Sequence, residues 1–242
     1  MTKAEWMALC VELSVGLEEI ASLCEPVTSE FQSFGEQIFV AHVTLLSACA
    51  SLKGVSWLLL AGLASEAGVL VRKLVECELA MAAIATQWDT FQPMIEAEHQ
   101  FSRASSRSLI NKLEAIPKRF RAEAHGANVS ENRGKINWEK IAQGSDTLTR
   151  YAAHKWFSAN AVHFSWLSLK RFVKPHDDGS DRYKFVVNDH DADTVALFAL
   201  EGCKSAIGLA KSYLSIIENE TAYDRLKSLD LKFKSIGTVS TE

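Results

Sequence analysis

With 242 residues, a formal net charge of −4 and 48% hydrophobic against 23% charged residues, the chain has the make-up of a globular protein long enough to bury a core without disulfide or metal staples. Four prolines and twelve glycines are too few turn formers for an all-β fold, and the slight acidity excludes a general nucleic-acid coat while leaving room for a local basic patch. Cys10, Cys24, Cys49, Cys77 and Cys203 are odd in number and never arranged as C-x-x-C, which indicates neither a zinc ribbon nor a disulfide framework and points to a reducing cytoplasm.

Thr2 is placed to cap a first helix running to about Leu23, where Cys24-Glu25-Pro26 is expected to stop it, because a residue before proline is pushed out of helical geometry. The glutamates of this segment recur on a helical period, unlike the unbroken apolar core of a secretory leader. A second helix is expected over Glu36 to Leu52, ending at Gly54. The most membrane-like stretch, Val55 to Val71, is broken by Ser56, Ser65 and Glu66 and falls short of the roughly 20 apolar residues of a span, so no membrane contact is expected. From Leu63 to Ile84 the pattern Leu63, Ala67, Leu70, Leu74, Cys77, Met81, Ile84 alternates by fours and threes, the mark of a helix packed lengthwise against a neighbour. Thr90 to Pro93 is expected to break it and open a polar helix, Met94 to about Ile116. Pro117 starts the short segment KRFRAEAH, which Gly126 ends, and a polar loop follows to Lys135. Asn137 caps a brief helix through Trp138 and Ile141.

Ser145 to Val173 reads as one long central helix, with Leu148, Ala152, Ala159, Val162, Trp166, Leu169 and Val173 along a core-facing seam. Residues 175–193 form the least helical region, in which Tyr183 to Val187 has strand character and a small hairpin is expected. A last long helix begins at Asp193 or Thr194 and runs to about Asn219. Leu226 to Ile236 adds a short turn, and residues 221–242 read as a loosely attached tail. No repeat or linker divides the chain, so the expectation is a single all-α domain over residues 1–242, a helical bundle.

The candidate chemistry is sparse. Arg72 and Glu76 stand one turn apart, with arginine first, the less favourable order for a helix pair; they are either a solvated pair or part of an interior cluster. Tyr151, Ser158 and His163 share the central helix and could hydrogen-bond to other helices, and an imidazole beside an arginine–glutamate pair could transfer protons. No serine sits in G-x-S-x-G. His154 and His163 are nine residues apart and cannot share one helix face, and there is no H-E-x-x-H, so no metal site is expected. Arg119 and His125 form an R-x5-H arrangement resembling that of the helical HEPN ribonucleases, in which arginine and histidine act on RNA without a metal, and Arg103, Arg107, Lys112, Lys118 and Arg121 nearby would supply phosphate contacts.

Arg72-Lys73-Leu74-Val75-Glu76, followed by Trp138, Tyr151, Ser158, Val162-His163 and Ser165, resembles an uncharacterised, mainly bacterial helical family, domain of unknown function 5677, over roughly Phe39 to Val173. Where many members carry a second tyrosine four residues after the first, this chain has Lys155. The resemblance implies an all-helical fold and an association of Arg72, Glu76 and His163; it implies no reaction and no cofactor. The leading expectation is a binding or regulatory module whose Arg72, Glu76 and His163 form an internal polar cluster flanked by Tyr151 and Ser158, with a homodimer as the prior for its assembly. The competing expectation is a metal-independent ribonuclease or a stress or phage-defence effector resembling HEPN domains, using Arg119 and His125 or else Arg72 and His163, with RNA as its partner.

Overall fold

The computed structural model describes residues 2–28, 36–99, 136–162, 173–175, 183–185 and 192–237. In chain order the elements are α1 (Lys3–Thr28), α2 (Gln37–Leu60), α3 (Ala64–Thr86), α4 (88–99), α5 (Trp138–Gly144), α6 (Leu148–Phe157) with a π-helical extension (Ser158–Val162), β1 (Val173–Pro175), β2 (Tyr183–Phe185), α7 (Ala192–Leu214) and α8 (Glu220–Gly237). Among the described residues the fold is all-α apart from the two three-residue strands, which pair antiparallel with Lys174 opposite Lys184. This is the small hairpin expected there.

The helix at the centre is α3, in place of the long helix expected from Ser145 to Val173. It packs on α2, α7, α6 and α5, and Ala64, Ala67, Val71, Leu74, Val75, Leu79, Met81 and Ile84 along it are buried. The expected helix ends as α-helix at Phe157, continues in the wider π form to Val162, and Val173 already belongs to β1. Its face is also rotated from the expected seam: Leu148 is 49% exposed, whereas His154, Phe157 and Ser158 are buried. Apolar periodicity misplaced the face because α6 turns polar side chains inward, where α3 carries partners for them.

Other boundaries moved for local reasons. Helix α1 runs through Pro26 to Thr28; the carbonyl four residues earlier belongs to the exposed Ser22, so the missing proline N–H leaves it to solvent instead of orphaning it in the core. Gly54 does not end α2. A Cβ there would lie 2.5 Å from Leu70 Cδ1, so the glycine is the contact that lets α2 and α3 approach. The fourth helix starts at Trp88, anchored by the buried Phe91, ahead of Pro93.

The closing segment is docked, not loosely attached, as far as Gly237. Helix α8 lies along α1, with Leu226 and Leu229 at 3% and 2% exposure, each burial contributing roughly 2 kcal/mol. Gly16 on α1 makes room for it, since a Cβ there would stand 2.4 Å from Leu229 Cδ1. One continuous apolar core takes in residues from α1 through α8. All five cysteines are free and buried, and burial pushes the Cys49 thiol up to about 12, which makes it inert.

Candidate functional site

Helices α5 and α6 meet at a tight corner that sets the site. Asn137 caps α5 by accepting from the Lys140 backbone N–H at 3.1 Å, and Asp146 takes a left-handed conformation, φ 54°, while the Thr147 N–H donates to the Ala142 carbonyl at 2.8 Å. The corner sends α6 back along α3, whose polar residues Arg72, Glu76 and Glu78 then face α6. Gln87 braces it from α3 by donating to the Ile141 carbonyl at 3.0 Å.

Two polar networks result. In the first, Arg72 Nη2 donates to Glu76 Oε1 at 2.6 Å and His154 Nε2 meets the same oxygen at 3.0 Å. The His154 ring stacks on Tyr151, centroids 6.0 Å apart, and lies 6.3 Å from that of Trp138. The His154 side chain is 7% exposed, Glu76 19% and Arg72 26%, so the cluster is closed at the imidazole and open at the arginine. Two of its buried nitrogens, Arg72 Nε and His154 Nδ1, have no hydrogen-bond partner among the described residues. Burial pushes the Glu76 carboxyl up, but the hydrogen bond from His154 and the Arg72 and Lys73 charges outweigh it and hold the group below the usual glutamate range.

In the second network Arg150 uses all three guanidinium nitrogens: Nε donates to Glu78 at 2.7 Å, Nη1 to Glu201 at 2.8 Å and Nη2 to Ser205 Oγ at 2.6 Å. Lys204 closes the far side of Glu201 at 3.0 Å. Burial lifts the Glu78 carboxyl above its ordinary value despite Arg150 and Ser205. Glu201 goes the other way, because the Arg150 and Lys204 interactions overcome its own burial. A recess of about 370 Å³ lined by Arg150, Trp156, Leu197 and Glu201 adjoins this network, but every guanidinium nitrogen facing it is already engaged.

Arg72 and Glu76 pair with each other, and the histidine that joins them is His154, which was not expected there. His163, Arg119 and His125 lie outside the described residues. Tyr151 flanks the cluster as a ring, and Lys155, the departure from the family pattern, holds its Nζ 5.6 Å from the Tyr151 centroid. Ser158 spends its hydroxyl hydrogen on the His154 carbonyl at 2.8 Å, so it supports the helix and offers the cluster no donor.

His154, Arg150, Glu78, Glu201 and Ser205 were missed in the sequence. The available signal was the i, i+4 pair Arg150 and His154, whose spacing echoes Arg72 and Glu76 and places two titratable groups on one face of an aromatic-rich helix. Among the described residues no group of three or more His, Cys, Asp or Glu side chains is placed to hold a metal ion.

No curated protein and no solved structure matches the chain. The model of one family does match, over residues 38–181, the span that contributes α2, α3, α5 and α6 and with them Arg72, Glu76, Arg150 and His154. The chain belongs to the family of unknown function DUF5677.

Proposed function

We propose that the chain is a binding module whose recognition centre is the Arg72, Glu76 and His154 cluster, and that it takes a small polar group presenting a hydrogen-bond acceptor beside a donor. The observation that carries this is the pair of buried, unpartnered nitrogens. In the neutral imidazole, with the Nε2 proton aimed at the Glu76 carboxylate, His154 Nδ1 is an acceptor, while Arg72 Nε is always a donor. A structural ion cluster satisfies its buried atoms, at a cost of about 1 to 3 kcal/mol for each one it leaves unmade; two left open on side chains that share one Glu76 oxygen point to a group that arrives later. A hydroxyl, a carboxamide or a pyrimidine edge has the required donor and acceptor together. The five buried free thiols support a reducing compartment for this work.

The test is nitrogen-15 NMR of histidine-labelled protein titrated with acetamide, ribose, uracil and inorganic phosphate. The expected result is movement of the His154 Nδ1 resonance with acetamide, ribose or uracil and its absence in Glu76→Gln. His154→Phe is expected to keep stability within about 1 kcal/mol of wild type, since it removes an unpaired polar atom from beside two aromatic rings. A silent His154 resonance with every probe would sink the proposal.

A second reading rests on the Glu76 to His154 hydrogen bond. A carboxylate that orients an imidazole leaves Nδ1 as a base, and Arg72 beside it could neutralise a phosphodiester, as a metal-independent ribonuclease of the HEPN kind requires. Mixed RNA incubated with the protein and with His154→Ala separates this from simple binding; RNA left intact by both removes it.

A further inference from the structure

Helix α2 carries a second, outward stripe. Val43, Leu46, Ala50, Lys53, Trp57 and Leu60 follow one another at spacings of three, four, three, four and three, and all are exposed; Leu46 is 47%, Trp57 66% and Leu60 50% open to solvent. Its buried face is a different set, Leu45, Leu52, Val55 and Leu59. Such an alternation of threes and fours is the seam by which one helix packs against another. Lys53 donates to Glu18 of α1 at 3.2 Å, and with α1 antiparallel to α2 that register sets the exposed Val15 and Val11, at 44% and 43%, alongside Trp57 and Leu60.

We propose that this stripe is the interface of a homodimer, with α2 packed antiparallel on α2 of a second copy about a twofold axis between Ala50 and Lys53. The stripe is self-complementary about that point. Val43 faces Leu60 of the other copy, Leu46 faces Trp57, and Ala50, the one small residue, faces the long stem of Lys53. The charge also closes, because each Lys53 brought to the axis comes with its own Glu18. The stripe is about 26 Å long and a helix about 10 Å across, so the two α2 faces remove roughly 500 Å² from water and the α1 valines extend this toward the roughly 1,000 Å² at which a specific interface begins. By length and composition α2 is apolar enough to cross a bilayer, but a span would carry the Lys53 and Glu18 pair at mid-stripe into hydrocarbon, which is costly.

Sedimentation of the full chain from about 1 to 100 μM tests this. A dimer is expected, and Leu46→Glu and Trp57→Glu are each expected to raise its dissociation constant about thirtyfold with unchanged far-ultraviolet circular dichroism. An Ala50→Cys chain mixed with a Lys53→Cys chain is expected to give more disulfide-linked dimer than either alone. A monomer over the whole range overturns the proposal, as does a dimer indifferent to both glutamates, or a monomeric chain that binds phosphatidylcholine–phosphatidylglycerol vesicles through Trp57.

Discussion

Arg150 and Arg72 both reach carboxylates on the central helix α3, and the two clusters differ in what is left over. Arg150 has a partner for each nitrogen, shared among Glu78, Glu201 and Ser205 on two helices. Among the described residues Arg72 reaches only its own helix neighbour Glu76, and its Nε has no partner, like Nδ1 of the His154 that meets the same carboxylate oxygen. The complete network ties α3, α6 and α7 together and is built for stability. The incomplete one contributes little to the fold, which is why a binding role is assigned to it.

The contrast is broken most directly by removing each arginine in turn. Arg150→Ala leaves Glu78, 8% exposed as a residue, without its cation, and is expected to cost about 3 kcal/mol in urea unfolding. Arg72→Ala is expected to cost under about 1 kcal/mol, because Glu76 keeps His154 and the lost contact is a partly exposed i, i+4 pair. Equal losses would mean that the two clusters do the same job.

Next in size is Gly208→Ala. A Cβ at this position of α7 would stand 2.3 Å from Glu78 Oε1 and 3.1 Å from its Cδ. The carboxylate cannot swing aside without breaking its bond to Arg150, so a loss of about 1 to 2 kcal/mol is expected, smaller in an Arg150→Ala background where Glu78 is released. Losses that simply add in the double variant would show that Gly208 and Arg150 do not act through the same carboxylate.

This pairing of clusters explains which parts of the molecule could be read from the sequence. Helix α3 was legible because its buried face is apolar at regular spacing, and the Asn137 cap because its chemistry is local. Helix α6 was not, because Arg150 and His154 look like a solvated face until Glu78, Glu201 and Glu76 are brought to them from residues 51 to 78 positions away. Gly54 likewise looks like a stop until Leu70 is seen against it. A buried charge is recognisable only through its partner, and the partner is set by tertiary structure. Arg72 and Glu76 could be picked out since both members lie on one helix; that His154 joins them could not.

The smallest effect, and the one that sharpens the contrast most, is on pH dependence. Glu76 and Glu201 are held below the ordinary glutamate value, about 4.3 in the unfolded chain. The stability each contributes is therefore complete above that value and drains away as pH falls through its lower folded value. Glu78 has the opposite sign: burial raises its folded value, so the fold prefers the protonated form and the cost of its charge is relieved as pH falls through that raised value. Urea midpoints followed from pH 7 to about 3 should show a shallower acid decline for Glu76→Gln and for Glu201→Gln, and a steeper one for Glu78→Gln. If Glu76→Gln leaves the decline unchanged while Glu201→Gln flattens it, the Arg72 cluster adds nothing to the folded state, and its open nitrogens are left with recognition as their only account.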